Sequence, residues 1–422
     1  PVDKELWYKA PITPMDDLHG NLRGIIEHMD DIQNLGIDVL YMTPIFQSNS
    51  CHKYDTTDYY QIDPSFGTTE DLKELVQKAH ERGMKVVLDA VYNHTGREFF
   101  AFADILENGE KSKYRDWYFI DGFPLKSEWG EIPNFKCFGY YGGMPKLNLK
   151  NPEVEKYITD VACYWIKECD IDGWRLDVGD EISHFFWKNF RKAVKAVKKD
   201  MLIIGEIWHY AGDFLEGDEW DTVMNYPFYL NLIDLLADEK ITVSQFVQNL
   251  GYLKGRLHKN CYPLMWNLID SHDTARFLHL CNDNKKKQHL AAAFQLLLPG
   301  MPMIYYGDEY AMPGANDPDC RRGMYWDEEY QDKEMYEWYK RLIQVRKSHA
   351  CIVEGELAGS VTEDEEGTVV LIRKNGEETI AMIFNCSSSA KKFNEYTQKY
   401  NLLTENTFDG NVEGFDAAVI VL

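Results

Sequence analysis

Short apolar runs alternate along most of the chain with segments in which apolar residues recur every third or fourth position. The runs predict strands, and the second pattern predicts amphipathic helices. The predicted strands are 37–42, 84–90, 172–178 (DGWRLDV), 201–206, 222–225, 264–269 and 301–306. The predicted helices are 70–82, 154–167, 183–198 and 285–298. Buried strands that alternate with helices indicate a parallel sheet, either open or closed into a barrel.

Carboxylates decide between these two architectures. Asp89, Asp177, Glu206 and Asp273 each stand at or just beyond the C-terminal end of a predicted strand. In a (β/α)8 TIM barrel the strand ends converge on one active site, whereas an open doubly wound sheet would spread such groups along an edge. No strand is followed by G-x-G-x-x-G or a Walker loop, which disfavours a nucleotide-binding sheet. The sequence therefore predicts an α/β barrel.

Two segments interrupt the alternation. Residues 96–148 are rich in Gly, Tyr, Phe and Pro, and an insertion of this length predicts a functional lid or small subdomain. After about residue 350 the pattern changes to the short β-rich runs 367–372, 378–384 and 417–422. We predict a catalytic barrel over 1–349, interrupted by the inserted subdomain 96–148, and an antiparallel β-sandwich domain over 350–422.

Composition restricts the possible partners. A net charge of −24 argues against nucleic acid and against anionic membrane, whereas a neutral sugar is indifferent to it. No run approaches the eighteen apolar residues of a membrane span. The nine cysteines are scattered and form no C-x-x-C pair, which favours free thiols in a reducing compartment and predicts a cytoplasmic protein.

Asp177, Glu206 and Asp273 are the candidate catalytic acids. A glycosidic bond is cleaved by two carboxyl groups, one acting as an acid and the other as a nucleophile or base. Arg175 lies two residues before Asp177 and so faces the same side of a strand, where its charge would favour the ionised carboxylate. Glu206 ends the apolar run LIIGE, where partial burial would favour the protonated acid. The simpler interpretation, that each acid is a helix cap or an ion-pair partner, weakens when four acids follow strands. Ser183 is an ordinary helix N-cap candidate.

Four motifs resemble the conserved regions of the α-amylase family, in the family's order. They are DAVYNH (89–94), GWRLDV (173–178), GEIW (205–208) and SHDTAR (271–276), and the resemblance runs from about residue 17 to residue 347. MPKLN (144–148) resembles the signature of the neopullulanase, cyclomaltodextrinase and maltogenic amylase group. VMNYPF (223–228) and NDPDCRRGMYW (316–326) point the same way.

This resemblance implies a role for each matching residue. Asp177 would be the nucleophile of a retaining mechanism, Glu206 the general acid/base, and Asp273 a third acid that binds sugar hydroxyls. Tyr54 would stack beneath the sugar that is cleaved, and Trp208 would face the leaving group. The remaining binding residues would be His94, Arg175, His272, Asp317 and Arg321. For Asp89 and Asn225, ligand contact and a structural role are equally compatible with the sequence.

The sequence also departs from the family pattern. A first strand resembling YQIFPDRF is absent, so we expect the chain to lack strand one of the barrel. We also expect the N-terminal β domain usual in this group to lie outside this sequence, and a homodimer is expected only if the full protein contains that domain. The usual calcium-binding loop is not found, apart from Asn21. No cofactor is therefore expected to be required, although Ca²⁺ binding remains an alternative.

The predicted activity is hydrolysis of α-1,4-glucosidic bonds, with α-1,6 bonds as a further target. The expected substrates are cyclodextrins, pullulan and maltodextrins. A general α-amylase or an oligo-1,6-glucosidase is the alternative within the enzyme class, and MPKLN argues against both. An inactive, sugar-binding amylase-like scaffold is the alternative outside it. Such a scaffold should have lost one of the three acids, and all three are present.

Overall fold

The computed structural model describes residues 3–126, 132–258 and 260–422. The part of the predicted insertion at 127–131 lies outside the described residues. In chain order the helices are α1 Lys4–Trp7, α2 Leu22–Glu27, α3 Met29–Leu35, α4 Thr69–Glu81, α5 Phe100–Asn108, α6 Pro152–Cys169, α7 His184–Val197, α8 Tyr226–Leu232, α9 Val243–Arg256, α10 Phe277–Leu280, α11 Lys285–Leu297, α12 Lys333–Ser348 and α13 Ala350–Glu354.

The strands fall into several sheets. In chain order they are β1 Val39–Met42, β2 Phe46–Ser48, β3 Thr56–Ile62, β4 Lys85–Ala90, β5 Gly173–Leu176, β6 Leu202–Gly205, β7 Thr222–Val223, β8 Trp266–Asn267, β9 Met301–Pro302, β10 Glu356–Glu363, β11 Thr368–Asn375, β12 Glu378–Asn385, β13 Lys391–Lys392, β14 Tyr400–Asn401, β15 Asn406–Thr407, β16 Asn411–Val412 and β17 Asp416–Val421. The five-stranded sheet and the β8-β9 pair are parallel, whereas the β2-β3 pair and the sheets after residue 355 are antiparallel.

The chain divides into two compact units. The N-terminal unit comprises His19–Ile207 and Asp213–Val223, and the C-terminal unit comprises Trp208–Gly212, Met224–Leu422 and the segment before His19. This division does not follow the predicted domain boundaries, which stay a prediction.

A parallel sheet forms the centre of the N-terminal unit. Its order is β1-β4-β5-β6-β7, and every neighbouring pair is parallel. All four residues of β5 are buried, as expected for a strand covered on both faces. Helices α4, α6 and α7 connect these strands, and each presents buried apolar residues on one face.

Helix ends in this unit follow the local capping signals. Thr68 and Asp71 form a reciprocal capping box at the start of α4, an arrangement that stabilises a helix by about 1 kcal/mol. Ser183 accepts a hydrogen bond from the backbone of Phe186, which confirms it as the N-cap of α7. Asn21 caps α2 by accepting from the Gly24 amide, so this possible remnant of a calcium loop has a structural task here.

The predicted insertion contains regular structure. Helix α5 lies within it, and Tyr118 and Ile120 form isolated bridges with Leu147 and Phe135. Aromatic ring contacts connect Phe100 with Trp117 at 5.7 Å, which supports an ordered segment over the described residues.

The C-terminal unit contains a parallel pair and an antiparallel sheet. Strands β8 and β9 pair in parallel over two residues each, shorter than the predicted runs 264–269 and 301–306. The antiparallel sheet has the order β10-β11-β12-β17-β14-β15, and β13 pairs with β16. Its core includes Ile383, Phe393, Phe408 and Ile420. Strand β10 was not predicted.

Candidate active site

Three carboxylates of the N-terminal unit surround one buried guanidinium. Arg175 Nη1 lies 3.0 Å from Asp89 Oδ2 and 3.1 Å from Asp177 Oδ1, and Arg175 Nη2 lies 2.9 Å from Glu206 Oε2. The Arg175 side chain is fully buried, and those of Asp177 and Glu206 are 8% and 9% exposed. We call these four residues the arginine cluster.

The order of the parallel strands produces this cluster. Asp89 in β4 is the register partner of Arg175 in β5, and Leu176 is the partner of Gly205 in β6. Asp177 and Glu206 follow their strands directly, so both emerge at the same edge of the sheet. The predicted pair of Arg175 and Asp177, two residues apart, is confirmed.

The cluster contains more acid than base. With all three carboxyl groups ionised, its formal charge would be −3 + 1 = −2 in a buried environment, a costly state that favours retention of a proton. Burial raises the pKa of Asp89, although the charge of Arg175 and the Tyr41 hydroxyl act in the opposite direction. Burial lowers the pKa of Arg175, but Asp89 and Glu206 outweigh it and hold that pKa well above its usual value.

Two tyrosines bind Asp89 in addition to its guanidinium partner. The Tyr41 hydroxyl donates to Asp89 Oδ2 at 2.7 Å, and the Tyr54 hydroxyl donates to the same oxygen at 3.0 Å. Tyr54 is therefore connected to the cluster through Asp89. Tyr41 was missed by sequence reasoning, since a tyrosine inside an apolar strand has no distinguishing signal.

The residue after Asp177 has an unusual backbone conformation. Val178 adopts φ 47° and ψ 42°, a left-handed conformation that β-branched residues rarely take. In this conformation its backbone amide donates to Glu206 Oε2 at 2.9 Å. Strained residues of this kind concentrate at functional sites, where the surrounding structure enforces them.

His94 lies behind Tyr54. It is 1% exposed, its Nε2 is 3.0 Å from the Tyr54 carbonyl oxygen, and its ring stacks on Phe138 at 5.2 Å. Burial lowers the pKa of His94 to about 4, so the imidazole is neutral at pH 7 and Nε2–H donates to the carbonyl. Phe138 was not identified from the sequence.

The third predicted acid, Asp273, belongs to the C-terminal unit. Asp273 Oδ2 lies 3.1 Å from His272 Nε2, and Asp273 Oδ1 lies 3.4 Å from Arg321 Nη2. Arg321 Nε donates to the His272 carbonyl at 2.9 Å and pairs with Asp317 at 2.7 Å. The structure thus brings four predicted site residues of this unit into one group of polar contacts, in which Arg321 pairs with both Asp273 and Asp317.

Trp208 is stacked flat on Tyr226. The ring centroids are 3.8 Å apart and the planes differ by 13°, while 39% of the tryptophan surface stays exposed. One face of the indole is therefore supported by an aromatic ring. Asn225 caps α8 and donates to Asn267 Oδ1 at 2.8 Å, which gives it a structural role.

Metal ligation and membrane spanning have no candidate in the part of the chain that the structure describes. Within those ranges no group of three or more His, Cys, Asp or Glu side chains is arranged to hold a metal ion. Over the same described residues, no helix is both long and apolar enough to cross a membrane.

The catalytic-domain model of the α-amylase family matches residues 12–331, which is more than half of the chain. The chain therefore belongs to the α-amylase family. It is 47% identical over 384 residues to a cyclomaltodextrinase from Geobacillus thermopakistaniensis, covering 91% of this chain and 65% of that protein. It is 42% identical to neopullulanase 2 of Thermoactinomyces vulgaris, covering 91% and 66% respectively. An intracellular maltogenic amylase of Bacillus subtilis is 43% identical, covering 88% of this chain and 62% of that protein.

Solved structures show the same relationship. A cyclic α-maltosyl-(1→6)-maltose hydrolase from Arthrobacter globiformis superimposes with a TM-score of 0.90 at 34% identity, covering 100% of this chain and 94% of that chain. The family and structural matches confirm the predicted fold class, an α-amylase catalytic domain with a C-terminal antiparallel sheet. The chain spans about two thirds of the length of the curated relatives named above.

Proposed function

We propose that the chain is a retaining glycosidase that cleaves α-1,4-glucosidic bonds and, in mixed substrates, α-1,6 bonds. The observation that carries the proposal is the shared guanidinium of Arg175, which pairs with both Asp177 and Glu206. Pairing with one side chain brings the two carboxyl groups near each other, as action on a single glycosidic bond requires. Membership of the α-amylase family supports the same assignment.

In the first step Asp177 attacks the anomeric carbon, and the bond from that carbon to the leaving oxygen breaks. Glu206 gives its proton to this oxygen. Water then attacks the glycosyl-enzyme, Glu206 takes a proton from it, and Asp177 is released as a carboxylate. This mechanism requires carboxyl groups about 5–5.5 Å apart, and that separation stays a prediction.

The remaining site residues would bind the sugar. We assign Asp273 and His272 to hydroxyl groups of the distorted ring, with Arg321 and Asp317 at the next sugar. Tyr54 and His94 would lie beneath and beside the reacting ring, and the face of Trp208 opposite Tyr226 suits stacking at the leaving-group side. The arginine cluster supports the assignment of Asp177 and Glu206 as the reacting acids. The contacts of Asp273 with His272 and Arg321 support its assignment as the third acid.

The proposed substrates are cyclodextrins, pullulan and short maltodextrins. The names of the cyclomaltodextrinase and neopullulanase relatives support this choice over a general α-amylase or an oligo-1,6-glucosidase. The cyclic maltosyl-maltose hydrolase provides a second candidate substrate, because this chain matches it over nearly its whole length. An inactive scaffold is disfavoured, since the two reacting carboxyl groups and their guanidinium are in place.

Initial rates on four substrates test this proposal. Purified protein would be incubated with β-cyclodextrin, pullulan, starch and cyclic α-maltosyl-(1→6)-maltose at equal glucose content, with the Asp177→Asn variant as the blank. We expect β-cyclodextrin or pullulan to be cleaved faster than starch. Starch cleaved much faster than every other substrate would refute the subfamily assignment, and activity on none of them would favour the scaffold.

We further propose that activity does not require a metal ion. Both proposed steps use only carboxyl groups and water, and Asn21 serves as a helix cap. Dialysis against a calcium chelator is expected to leave the initial rate and the melting temperature unchanged. The expectation would be contradicted if dialysis lowered the rate or the melting temperature and added calcium, but not magnesium, restored it. That result would point to a calcium site.

A cytoplasmic location is proposed as well. All nine cysteines are thiols, which suits a reducing compartment, and one relative is named as intracellular. Fractionation of source cells with a periplasmic marker would test it, and co-purification with that marker would contradict it.

Homodimerisation is proposed only for a longer form that carries an N-terminal domain, and sedimentation of that form would test it.

A further inference from the structure

A second buried group of charged side chains lies in the C-terminal unit and has no role in the proposed chemistry. Asp270 and Asp308 are each 1% exposed, and Arg276 is fully buried. Asp270 and Asp308 belong to segments far apart in sequence, and their carboxyl groups face each other beside the Arg276 guanidinium, whose Nη1 lies 3.2 Å from Asp308 Oδ1. We call these two residues the aspartate pair.

Each carboxyl group of the pair has one oxygen with a conventional donor. Asp270 Oδ2 accepts from the Phe277 amide at 2.7 Å, and Asp308 Oδ1 accepts from Arg276 Nη1 at 3.2 Å. The other two oxygens, Asp270 Oδ1 and Asp308 Oδ2, are buried, and no N–H or hydroxyl group among residues 3–126, 132–258 and 260–422 donates to them. Two buried carboxyl groups that face each other repel when both are ionised, and one retained proton removes this repulsion.

The charges around the pair lead to the same conclusion. Arg276 is the cation that faces both acids, and its guanidinium also stacks over the rings of Tyr305 at 4.4 Å and Tyr306 at 5.0 Å. Tyr229, Glu309, Cys320 and Tyr339 are further titratable groups near the pair, and none of them adds positive charge. With both aspartates ionised, the pair and Arg276 would carry −1 in a buried environment, whereas one retained proton makes the three groups neutral.

We propose that Asp270 and Asp308 share a single proton at neutral pH, with Asp308 as the carboxylic acid and Asp270 as the carboxylate. The Asp308 hydroxyl would donate to Asp270 Oδ1, which gives both remaining oxygens a partner. The Phe277 amide stabilises the ionised form of Asp270. Burial and the neighbouring charge of Asp270 raise the pKa of Asp308 well above its usual range, in agreement with this placement of the proton.

The aspartate pair is a positioning device for the turn that carries His272 and Asp273. Asp270 closes this turn by binding the Phe277 amide across it. Arg276 fastens the end of the turn to the loop around Cys320, because its Nε donates to the Cys320 carbonyl at 3.1 Å and its amide to the Gly314 carbonyl at 3.0 Å. This consequence for activity rests on the proposed function, whereas the shared proton does not.

Infrared difference spectroscopy of the full chain tests the proton directly. The Asp308→Asn variant keeps the shape of the acid, and its amide can donate to Asp270 as the hydroxyl would. At neutral pH the wild-type-minus-variant spectrum is expected to show a carboxylic-acid carbonyl band. A lost carboxylate band in its place would show that Asp308 is ionised and would overturn the proposal.

The pH dependence of stability provides a second readout. Above the unfolded value of about 3.9 and below its raised folded pKa, Asp308 binds a proton in the native state but not in the unfolded chain. Its contribution to the free energy of unfolding therefore falls as pH rises through this window, and asparagine has no such dependence. The melting temperature of Asp308→Asn relative to wild type should rise as the pH is increased from about 5 towards the raised pKa of Asp308. A constant or falling difference would contradict a shared proton.

The activities of two Asp308 variants distinguish a positioning role of the aspartate pair from a purely stabilising one. We expect Asp308→Asn to keep kcat/KM within about threefold of wild type, and Asp308→Ala to lower it by ~10- to 100-fold in protein that remains folded. If the chain proves inactive on every glucan, the infrared and stability results still decide the shared proton. If Asp308→Asn and Asp308→Ala were equally active and the infrared band were present, the positioning role would be refuted and the shared proton would stand.

Discussion

Replacing Asp177 by asparagine is expected to lower kcat on the best glucan substrate by roughly 10⁴- to 10⁶-fold, the range found when a reacting group is removed from another covalent hydrolase. The amide cannot form the glycosyl-enzyme, so the covalent step is lost while the sugar contacts remain. Because asparagine has nearly the volume of aspartate, substrate binding should persist. Steady-state kinetics together with binding of β-cyclodextrin to the variant would measure both quantities.

Asp180→Asn serves as the matched control, since Asp180 is an exposed acid three residues further along. It should retain full activity. A wild-type product released first as the α-anomer, observed by proton NMR during turnover, would show retention, and a β-anomer would exclude Asp177 as a nucleophile. An unchanged kcat in Asp177→Asn would show that the active site lies elsewhere in the molecule.

Replacing Arg175 by methionine is expected to lower the free energy of unfolding by about 3–5 kcal/mol, as happens when one partner of a buried ion pair is removed. The apolar side chain fills the space but leaves Asp89, Asp177 and Glu206 without their shared cation. Activity should be lost in the same variant, since Asp177 would no longer be held ionised. Urea unfolding at neutral pH measures the first effect and initial rates the second.

Two further variants serve as controls for the Arg175→Met result. Asp89→Asn combined with Arg175→Met removes one of the uncompensated charges and should recover part of the stability but no activity. Arg23→Met removes an exposed arginine that pairs with Asp71 and Glu74, and it should cost less than about 1 kcal/mol. If Arg175→Met were as stable as Arg23→Met, the arginine cluster would not be a buried ionic centre.

Much of the fold follows from local patterns. The predicted helix 183–198 is observed as His184–Val197, and the predicted strand 84–90 as Lys85–Ala90, because apolar periodicity and a capping Ser183 are local signals. Strand β10 escaped prediction since most of its residues are exposed, so no apolar run marks it. It is a strand because β11 pairs with it from Glu356 to Glu363, apart from a bulge between Leu357 and Gly359.

The candidate site likewise has one part that local sequence patterns predicted and another that they did not. Spacing by two residues predicted the pair of Arg175 and Asp177, and the structure has it. The bond from Glu206 to the same guanidinium depends on the register of β5 and β6, which no local pattern encodes. Tyr41 and Val178 also join the group only through tertiary contacts, with Asp89 and Glu206 respectively.

The sequence by itself determined the family, the candidate acids and most of the elements, because motif chemistry and apolar periodicity are properties of neighbouring residues. Only the tertiary structure decided which charges meet. Strand register brought Asp89 and Glu206 to Arg175, and a contact between distant segments brought Asp308 against Asp270. The ionisation of an acid depends on burial and on partners that are remote in the chain, and those quantities exist only once the chain has folded.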